Sequence, residues 1–486
     1  MISLLALVAL LQIELPGTQP ETLRVRLSPA SSCNNCHRGF EGSAGDTWAG
    51  SMMANAARDP SYLAALTIAN QDMPGVGEFC IRCHSPRAWL SGRSQTPDGT
   101  GLDAVDLASG VDCDFCHRLR EGEGAHIGNG QYQLIDEAVS FGRYADPLAQ
   151  HAARRSSYIT SSELCGLCHD VTNPLTDFPI ERTYTEWKNS AFSAPQNRGG
   201  QGCIDCHMSG RPGTIAVGQN LPERELHAHD LAGGNTWMPT VFAALYPEQA
   251  DAFLHAAEAA REMLQTAATV EIETPASTAY GAEFAFTVRV TNESGHKLPT
   301  GYPEGRRCWL EVEVLDGTGR PLLHSGAYDE AIADRIDDPQ LRTYEARLSQ
   351  GDNPNETFHF VLQDTRLQDD RLPPRGFRPD DDTVPVGRDY PRLNDGTLAH
   401  WDDAPYIVPL AADTPGPLTV RARLRYQTIS RAYVTFLRDR NVTDDRGQTL
   451  YDLWETHGRS PPETIAEAMT TVALHAPPPP DAGMPD

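Results

Sequence analysis

The sequence predicts an α+β fold, in which a mostly helical and irregular N-terminal half precedes an antiparallel, immunoglobulin-like β-sandwich. Residues 33–207 contain short helical patterns such as DPSYLAALTIANQ, five Cys-x-x-Cys-His motifs and few alternating runs. Residues 241–267 are rich in Ala, Leu, Glu and Arg and predict one long helix. Beyond them the hydrophobic period becomes two, as in EFAFTVRVTNES and LTVRARLRYQTI, which is typical of paired strands.

These patterns divide the chain into consecutive segments. The apolar run MISLLALVALLQIELP is typical of a signal-peptide core, although no Lys or Arg precedes it. The predicted segments are a signal peptide over 1–20, a motif-bearing domain over 30–240, a connecting helix over 241–267, a β-sandwich over 268–475 with an irregular insertion near 364–410, and a disordered Pro-rich tail over 476–486.

Charge and hydropathy restrict the partners. The 486 residues include 66 acidic and 40 basic side chains, for a net charge of −26. Phosphates would repel such a surface, so nucleic acid is excluded, whereas a basic patch on a partner protein would be attracted. After the leader no stretch approaches the roughly 18 apolar residues of a membrane span. We expect an exported protein, periplasmic or extracellular, without a membrane span in its mature chain.

Ten of the eleven cysteines belong to the motifs. Cys-x-x-Cys-His is the attachment signal for haem c, because the two thiols add to the vinyl groups and the His binds the iron. Zinc ribbons and disulfides also use Cys-x-x-Cys, but neither requires a His directly afterwards. Five covalent haems c are therefore predicted, with these attachment cysteines and proximal ligands: Cys33, Cys36 and His37; Cys80, Cys83 and His84; Cys113, Cys116 and His117; Cys165, Cys168 and His169; Cys203, Cys206 and His207. The eleventh, Cys308, lies on a strand pattern and is predicted to be buried and free.

The second axial position of each iron separates electron transfer from catalysis. His227 and His229 lie in the Gly-rich stretch ELHAHDLAGGN, after the last motif, and His151 precedes the fourth motif. His296 lies in NESGHKLPTGYPEGRR, a loop that interrupts two strands of the sandwich. We predict all four as sixth ligands, and His296 would also connect the two domains.

Several segments resemble bacterial multihaem c-type cytochromes. WAGSMMANAARDP, EFCIRCHSPRAWLSGRS, SELCGLCHDVTNP and YTEWKNSAF resemble the haem-bearing half of pentahaem members, and GHKLPTGYPEGRR and FHFVLQDTRLQDDRLPPRGF resemble their β-rich C-terminal half. Related cytochromes often have a W-x-x-S-x-H element whose His is a distal ligand. Here Met53 stands at that position after Trp48, and Phe192 after Trp187. The resemblance implies Met53, His151 and His229 as ligands, and Phe192 cannot bind iron.

The leading function is electron transfer between redox partner proteins, because Met53, His151, His227, His229 and His296 would complete five irons. The alternative is an oxidoreductase acting on a small nitrogen or sulfur compound at an open distal site. The β-sandwich either binds a surface, a polysaccharide or a partner, or only covers the haem module and supplies His296. Near the motifs, the candidate partners for haem propionates are Arg38, Arg82, Arg87 and Arg118, although solvated surface charge is the commoner role.

Overall fold

The structure is a computed structural model that describes residue 13 and residues 15–122, 126–145, 149–218 and 220–475. The predicted tail at 476–486 and most of the predicted signal peptide lie outside the described residues.

Short helices and two-stranded ribbons form the N-terminal half. Its described helices are α1 (Ala30–His37), α2 (Ala44–Ala49), α3 (Pro60–Asp72), α4 (Gly77–His84), α5 (Pro86–Leu90), α6 (Ala104–Ser109), α7 (Cys113–Cys116), α8 (Ser162–Gly166), α9 (Thr183–Lys188) and α10 (Cys203–His207). Its described strands are β1 (Ser140–Gly142), β2 (Ala153–Arg155), β3 (Val171–Thr172), β4 (Pro179–Glu181), β5 (Gly210–Gly213) and β6 (Arg224–His227).

Each motif lies on, or at the end of, a short helix: α1, α4, α7, α8 and α10. One helical turn places side chains three positions apart on the same face, so both thiols of a motif point to the same side. Helix α3 begins with two residues that favour a helix N-terminus. Pro60 occupies its first turn, and the Asp59 carboxylate accepts from the Ser61 amide at 2.8 Å.

The predicted single helix over 241–267 is wrong, because the chain forms two helices there. These are α11 (Trp237–Leu245) and α12 (Ala250–Gln265). Pro247 separates them, since it has no N–H to donate and disfavours helical geometry at Tyr246 before it. The break folds α11 against α12, and Phe242 and Phe253 stack with their ring centroids 5.3 Å apart.

The C-terminal half has two packed sheets. Its described strands are β7 (Ala268–Glu273), β8 (Ser277–Ala279), β9 (Glu283–Asn292), β10 (Arg307–Leu315), β11 (Pro321–Ser325), β12 (Tyr328–Asp329), β13 (Asp334–Arg335), β14 (Arg342–Tyr344), β15 (Ala346–Ser349), β16 (Thr365–Asp369), β17 (Trp401–Pro409), β18 (Leu418–Gln427) and β19 (Glu463–His475). The larger sheet has the order β11-β10-β18-β19-β8, with β14 also paired to β10, and the smaller has the order β17-β9-β7. The pairing is antiparallel except between β8 and β19.

Alternating apolar residues hold these sheets together. Phe286 and Val288 of β9 face Val312 of β10 and Leu424 of β18 in one core cluster, and all four are buried. Period-two patterning thus places one face of each sheet inward, and the predicted α+β class is confirmed. Among the described residues, no helix has the length and apolar character that a membrane span requires.

Three strands differ from the sequence prediction. β16 and β17 lie inside the stretch predicted to be irregular, yet β16 pairs with β15, and β17 pairs with β9 from Trp401 opposite Thr291 to Pro409 opposite Glu283. Its prolines are tolerated because β17 is an edge strand. β19 is rich in Ala, Glu and Met, which favour helix, but long-range pairing with β18 makes it a strand.

The two halves share an apolar cluster. Helices α13 (Arg431–Asp439) and α14 (Arg446–Thr456) pack against α3 and α11, with Ile68, Phe242, Val434 and Trp454 buried together. Polar contacts cross the same boundary, and the Trp237 indole donates to the His457 carbonyl at 2.7 Å. The motif-bearing half therefore folds against the sandwich, which brings the loop between β9 and β10 close to the motifs.

Candidate haem sites

The five motif histidines are oriented alike. In each, Nδ1 faces an acceptor on the protein, so Nε2 is left to bind a metal when Nδ1 carries the proton. The Nδ1 neighbours are the Ile215 carbonyl for His37 at 2.7 Å, the Phe141 carbonyl for His117 at 2.7 Å, the Ala232 carbonyl for His207 at 2.6 Å, the Ala56 carbonyl for His84 at 3.4 Å and the Glu181 carboxylate for His169 at 3.6 Å.

Three motif histidines face a second histidine across a gap. The ring centroids are 6.4 Å apart for His37 and His151, 6.4 Å for His117 and His229, and 6.3 Å for His207 and His296. One metal ion bound by two imidazole nitrogens at about 2 Å each separates their ring centres by roughly 6 Å. Each gap therefore has the width of one iron with two axial imidazoles.

The outer histidine of each pair also has its Nδ1 next to a carbonyl. His151 lies 3.2 Å from the Ala152 carbonyl, His229 lies 2.9 Å from that of His227, and His296 lies 3.0 Å from that of Lys297. These contacts favour the tautomer whose Nε2 is available for coordination. In each of the three pairs, both histidines thus have Nδ1 beside a main-chain carbonyl, which leaves Nε2 available for a metal ion.

His84 and His169 have no histidine opposite them among the described residues. The His84 ring instead stacks on Tyr62, with centroids 3.9 Å apart and planes 6° apart. His169 lies beside Glu181, and although burial lowers its pKa, the Glu181 carboxylate more than reverses this and raises it. The structure therefore places a second histidine opposite three of the five motif histidines.

The structure gives other contacts to two predicted sixth ligands. Met53 packs against an apolar cluster that includes Trp89 and Leu119. His227 has its Nδ1 2.7 Å from the Met208 carbonyl, while its Nε2 contacts the Arg143 guanidinium and lies 3.7 Å from Glu225. Both residues stay predictions as iron ligands.

The space around the motif cysteines fits a prosthetic group. Cys36 and Cys206 are exposed and the other eight are half-buried, whereas Cys308 is buried as predicted. Free cysteine is among the most buried residue types, so accessible motif thiols are unusual unless a group covers them. No cluster of three or more His, Cys, Asp or Glu side chains suited to a metal ion occurs in the described ranges. Thiol pairs beside paired imidazoles suit haem c and disfavour zinc.

Comparisons with known proteins agree with this geometry. Residues 32–118 match the family model of "Cytochrome c554 and c-prime". The penta-heme cytochrome c552 of Thermochromatium tepidum superposes with a TM-score of 0.58 at 19% identity, over 92% of this chain and 99% of that chain. This chain has the fold of a multihaem cytochrome c. No curated protein matches the sequence. Spo0M, a sporulation control protein of Bacillus subtilis, aligns at 9% identity over 43% of this chain and 50% of that one, but its TM-score of 0.15 carries no argument.

The Cys-x-x-Cys-His motifs approach one another through their thiols. A thiol contact with Cys113 lowers the pKa of Cys33, and a contact with Cys165 lowers that of Cys203 to about 7. Contact with Cys83 raises the pKa of Cys168. These contacts bring pairs of motifs together.

The His296 loop is fixed by buried charges. Lys297 Nζ lies 2.7 Å from Asp369, whose other oxygen accepts from Arg371 Nε at 2.8 Å. Arg371 also lies 3.0 Å from Glu186, and Glu186 accepts from the Lys297 amide at 3.2 Å and the Thr300 hydroxyl at 2.8 Å. The network joins α9 of the motif-bearing half to the loop of the sandwich, and so holds His296 opposite His207.

The His296 loop of the sandwich lies against Phe192 and Trp187. A side-chain carbon added at Gly295 would lie 3.4 Å from Phe192 Cγ and 3.3 Å from Trp187 Cδ1. The loop therefore approaches the altered W-x-x-S-x-F element closely, directly before His296. Sequence reasoning missed the charges that hold the loop, although the charge-dense run QDDR contains Asp369 and Arg371.

Proposed function

We propose that this chain is an exported electron-transfer protein, periplasmic or extracellular, that carries five covalently bound haems c. The three imidazole pairs at 6.3–6.4 Å support this most directly. Each bound haem would supply reversible one-electron iron chemistry. The chain fixes both axial imidazoles through Nδ1 contacts, so a change of iron charge requires little movement of its ligands.

The thiol contacts support an order of attachment sites. Cys33 contacts Cys113, and Cys165 contacts Cys203. Cys116 is close enough to influence the pKa of both Cys165 and Cys168. We propose the path His37, His117, His169, His207, with His84 as a branch through the contact of Cys83 with Cys168. A reduced partner protein would give one electron to the haem at one end of this path, and an oxidised partner protein would accept it from the haem at the other end.

The haem count tests this proposal. After expression with a c-type maturation system, pyridine haemochrome assay and intact mass should give five haems per chain. The double variant Cys203→Ala, Cys206→Ala should lose one haem, because it removes both attachment thiols of that motif, and Cys308→Ala should keep all five. Fewer than five haems in the unmodified chain would contradict the proposal.

A second candidate function follows from His84. No described histidine faces it, so an iron held there would take its sixth ligand from another side chain, such as Met53, or from a small molecule, and the latter is what an oxidoreductase for a small nitrogen or sulfur compound needs. We expect at least three low-spin haems and a high-spin signal by electron paramagnetic resonance, and nitrite or cyanide should remove the high-spin signal. Five low-spin haems, with no spectral response to either anion, would contradict this second function and leave electron transfer as the proposed one.

A further inference from the structure

The loop that carries His296 ends in a half-buried cation, Arg306. Arg306 lies directly before β10, and its Nη1 donates to the Thr300 carbonyl at 2.7 Å. Its Cζ lies 4.7 Å from the centre of the Tyr302 ring, and its Nε is buried without a hydrogen-bond partner. Because a guanidinium keeps its proton in proteins, a full positive charge is fixed here.

The neighbouring cations are paired, whereas Arg306 is not. Lys297 binds Asp369, and Arg371 binds Asp369 and lies beside Glu186. Arg306 forms no ion pair with any residue in the described part of the chain. A buried N–H without an acceptor costs free energy, so the site lacks an oxygen that accepts from Arg306 Nε.

The arginines that the sequence suggested as propionate partners are occupied. Arg82 and Arg118 are buried and donate to main-chain carbonyls, while Arg38 and Arg87 bind carboxylates. Their partners are Gly130 and Pro16 for Arg82, Val25, Arg26 and Ile135 for Arg118, Asp46 for Arg38, and Asp103 and Asp106 for Arg87. Arg306 is the better candidate because it combines a buried Nε that has no acceptor with the lack of a carboxylate partner among the described residues.

A short chain of polar contacts joins Arg306 to one of the proximal histidines. The Thr300 carbonyl accepts from Arg306, and the Thr300 hydroxyl lies 2.8 Å from the Thr183 hydroxyl. Thr183 in turn donates to Glu181 at 3.2 Å, and Glu181 lies 3.6 Å from His169 Nδ1. Arg306 is therefore connected through side chains to the motif that contains His169.

The space beside Arg306 is small. A cavity of about 10 Å³ is lined by Thr300, Tyr302, Arg306 and Arg371, among others. That volume holds roughly one water molecule. A carboxylate at the end of a short chain reaches such a space more easily than a separate polyatomic ion does.

We propose that Arg306 binds an anionic oxygen group beside the haem site of His169, namely a propionate carboxylate of the haem held there. This rests on the proposed function, because it requires haem at this site. A free small oxyanion is the other source of the same chemistry. The Arg306 charge then stabilises the reduced, less positive iron.

The test uses the full haem-loaded chain with Arg306→Gln and the matched control Arg307→Gln. Arg307 is adjacent but already bonded, since its Nε donates to Gln427 at 2.9 Å and its guanidinium contacts Asp334. Potentiometric titration followed by absorbance and paramagnetic resonance gives the midpoint of each haem. A titration with sodium nitrite gives the affinity for a free oxyanion.

A lowered midpoint for one haem in Arg306→Gln only, with unchanged nitrite affinity, would support the propionate. A tenfold or greater loss of nitrite affinity with unchanged midpoints would support the free oxyanion. No change in either quantity would overturn the proposal. If Arg306→Gln does not fold, Arg306→Lys should change the same quantity less, because an ammonium cannot replace the guanidinium fork, and no change would again overturn it. The haem content shows which proposal has failed. Fewer than five haems per chain would contradict the proposed function. Five haems with unchanged midpoints and nitrite affinity would contradict only the role of Arg306.

Discussion

Replacing His296 with alanine should convert one low-spin haem, the one held at His207, to high spin. The reason is that His296 is the imidazole opposite His207, with ring centroids 6.3 Å apart. The free energy of unfolding should also fall by about 2 kcal/mol, because a ligand bond between the two halves is lost. Paramagnetic resonance counts the low-spin haems, and thermal melting measures the stability.

His324→Ala is the matched control for this prediction. His324 lies on β11 with 39% of its side chain exposed and is paired with Glu311, far from any motif in its contacts. Its loss should leave the spin states and the melting temperature unchanged. If His296→Ala keeps every low-spin haem, His296 has only a loop role and the haem at His207 has another sixth ligand.

Replacing Asp369 with alanine should lower the free energy of unfolding by about 3–5 kcal/mol, because it leaves two buried cations with too few carboxylates. Asp369 is 1% exposed and binds both Lys297 and Arg371. Guanidinium unfolding followed by circular dichroism measures the change. Glu258→Ala is the control, since Glu258 is 59% exposed in its pair with Arg261 and should cost at most about 0.5 kcal/mol. Equal losses in the two variants would show that the buried network contributes little.

The same carboxylate predicts how stability depends on pH. Burial raises the pKa of Asp369, but the charges of Arg371 and Lys297 outweigh burial and hold it well below 3.8. A carboxyl whose pKa is depressed on folding stabilises the protein above its unfolded pKa and loses that contribution as pH falls below it. The stability difference between the natural chain and Asp369→Asn should therefore be constant near neutral pH and shrink below about pH 4. Unfolding curves that stay equally separated down to pH 2 would contradict this origin.

The local patterns in the sequence were sufficient to predict the Cys-x-x-Cys-His motifs and the strands with alternating apolar residues. A Cys-x-x-Cys-His run specifies its own geometry within one helical turn, and β9, β10 and β18 alternate without interruption. The fold class followed from these features. Local sequence patterns did not predict the strands that depend on pairing with distant segments. Examples are β17, which contains prolines, and β19, which contains helix-favouring residues.

The distal ligands show the same limit. His151, His229 and His296 were predicted as ligands, and the structure places each opposite a motif histidine, but the sequence could not assign the partners. His227 is only two residues from His229, so sequence position could not separate them. Buried charges such as Glu186 were missed because a single sequence does not distinguish a buried charge from a solvated one.

The position of His296 has a consequence for biogenesis. Residues 203–207 are synthesised before residue 296, so the motif of His207 exists before the imidazole that faces it. Under the proposed function, a haem attached there has no sixth ligand from this loop until β9 and β10, the strands on either side of it, have paired with β17 and β18. During that interval its iron would be accessible to small molecules. Completion of this haem site would then depend on folding of the sandwich.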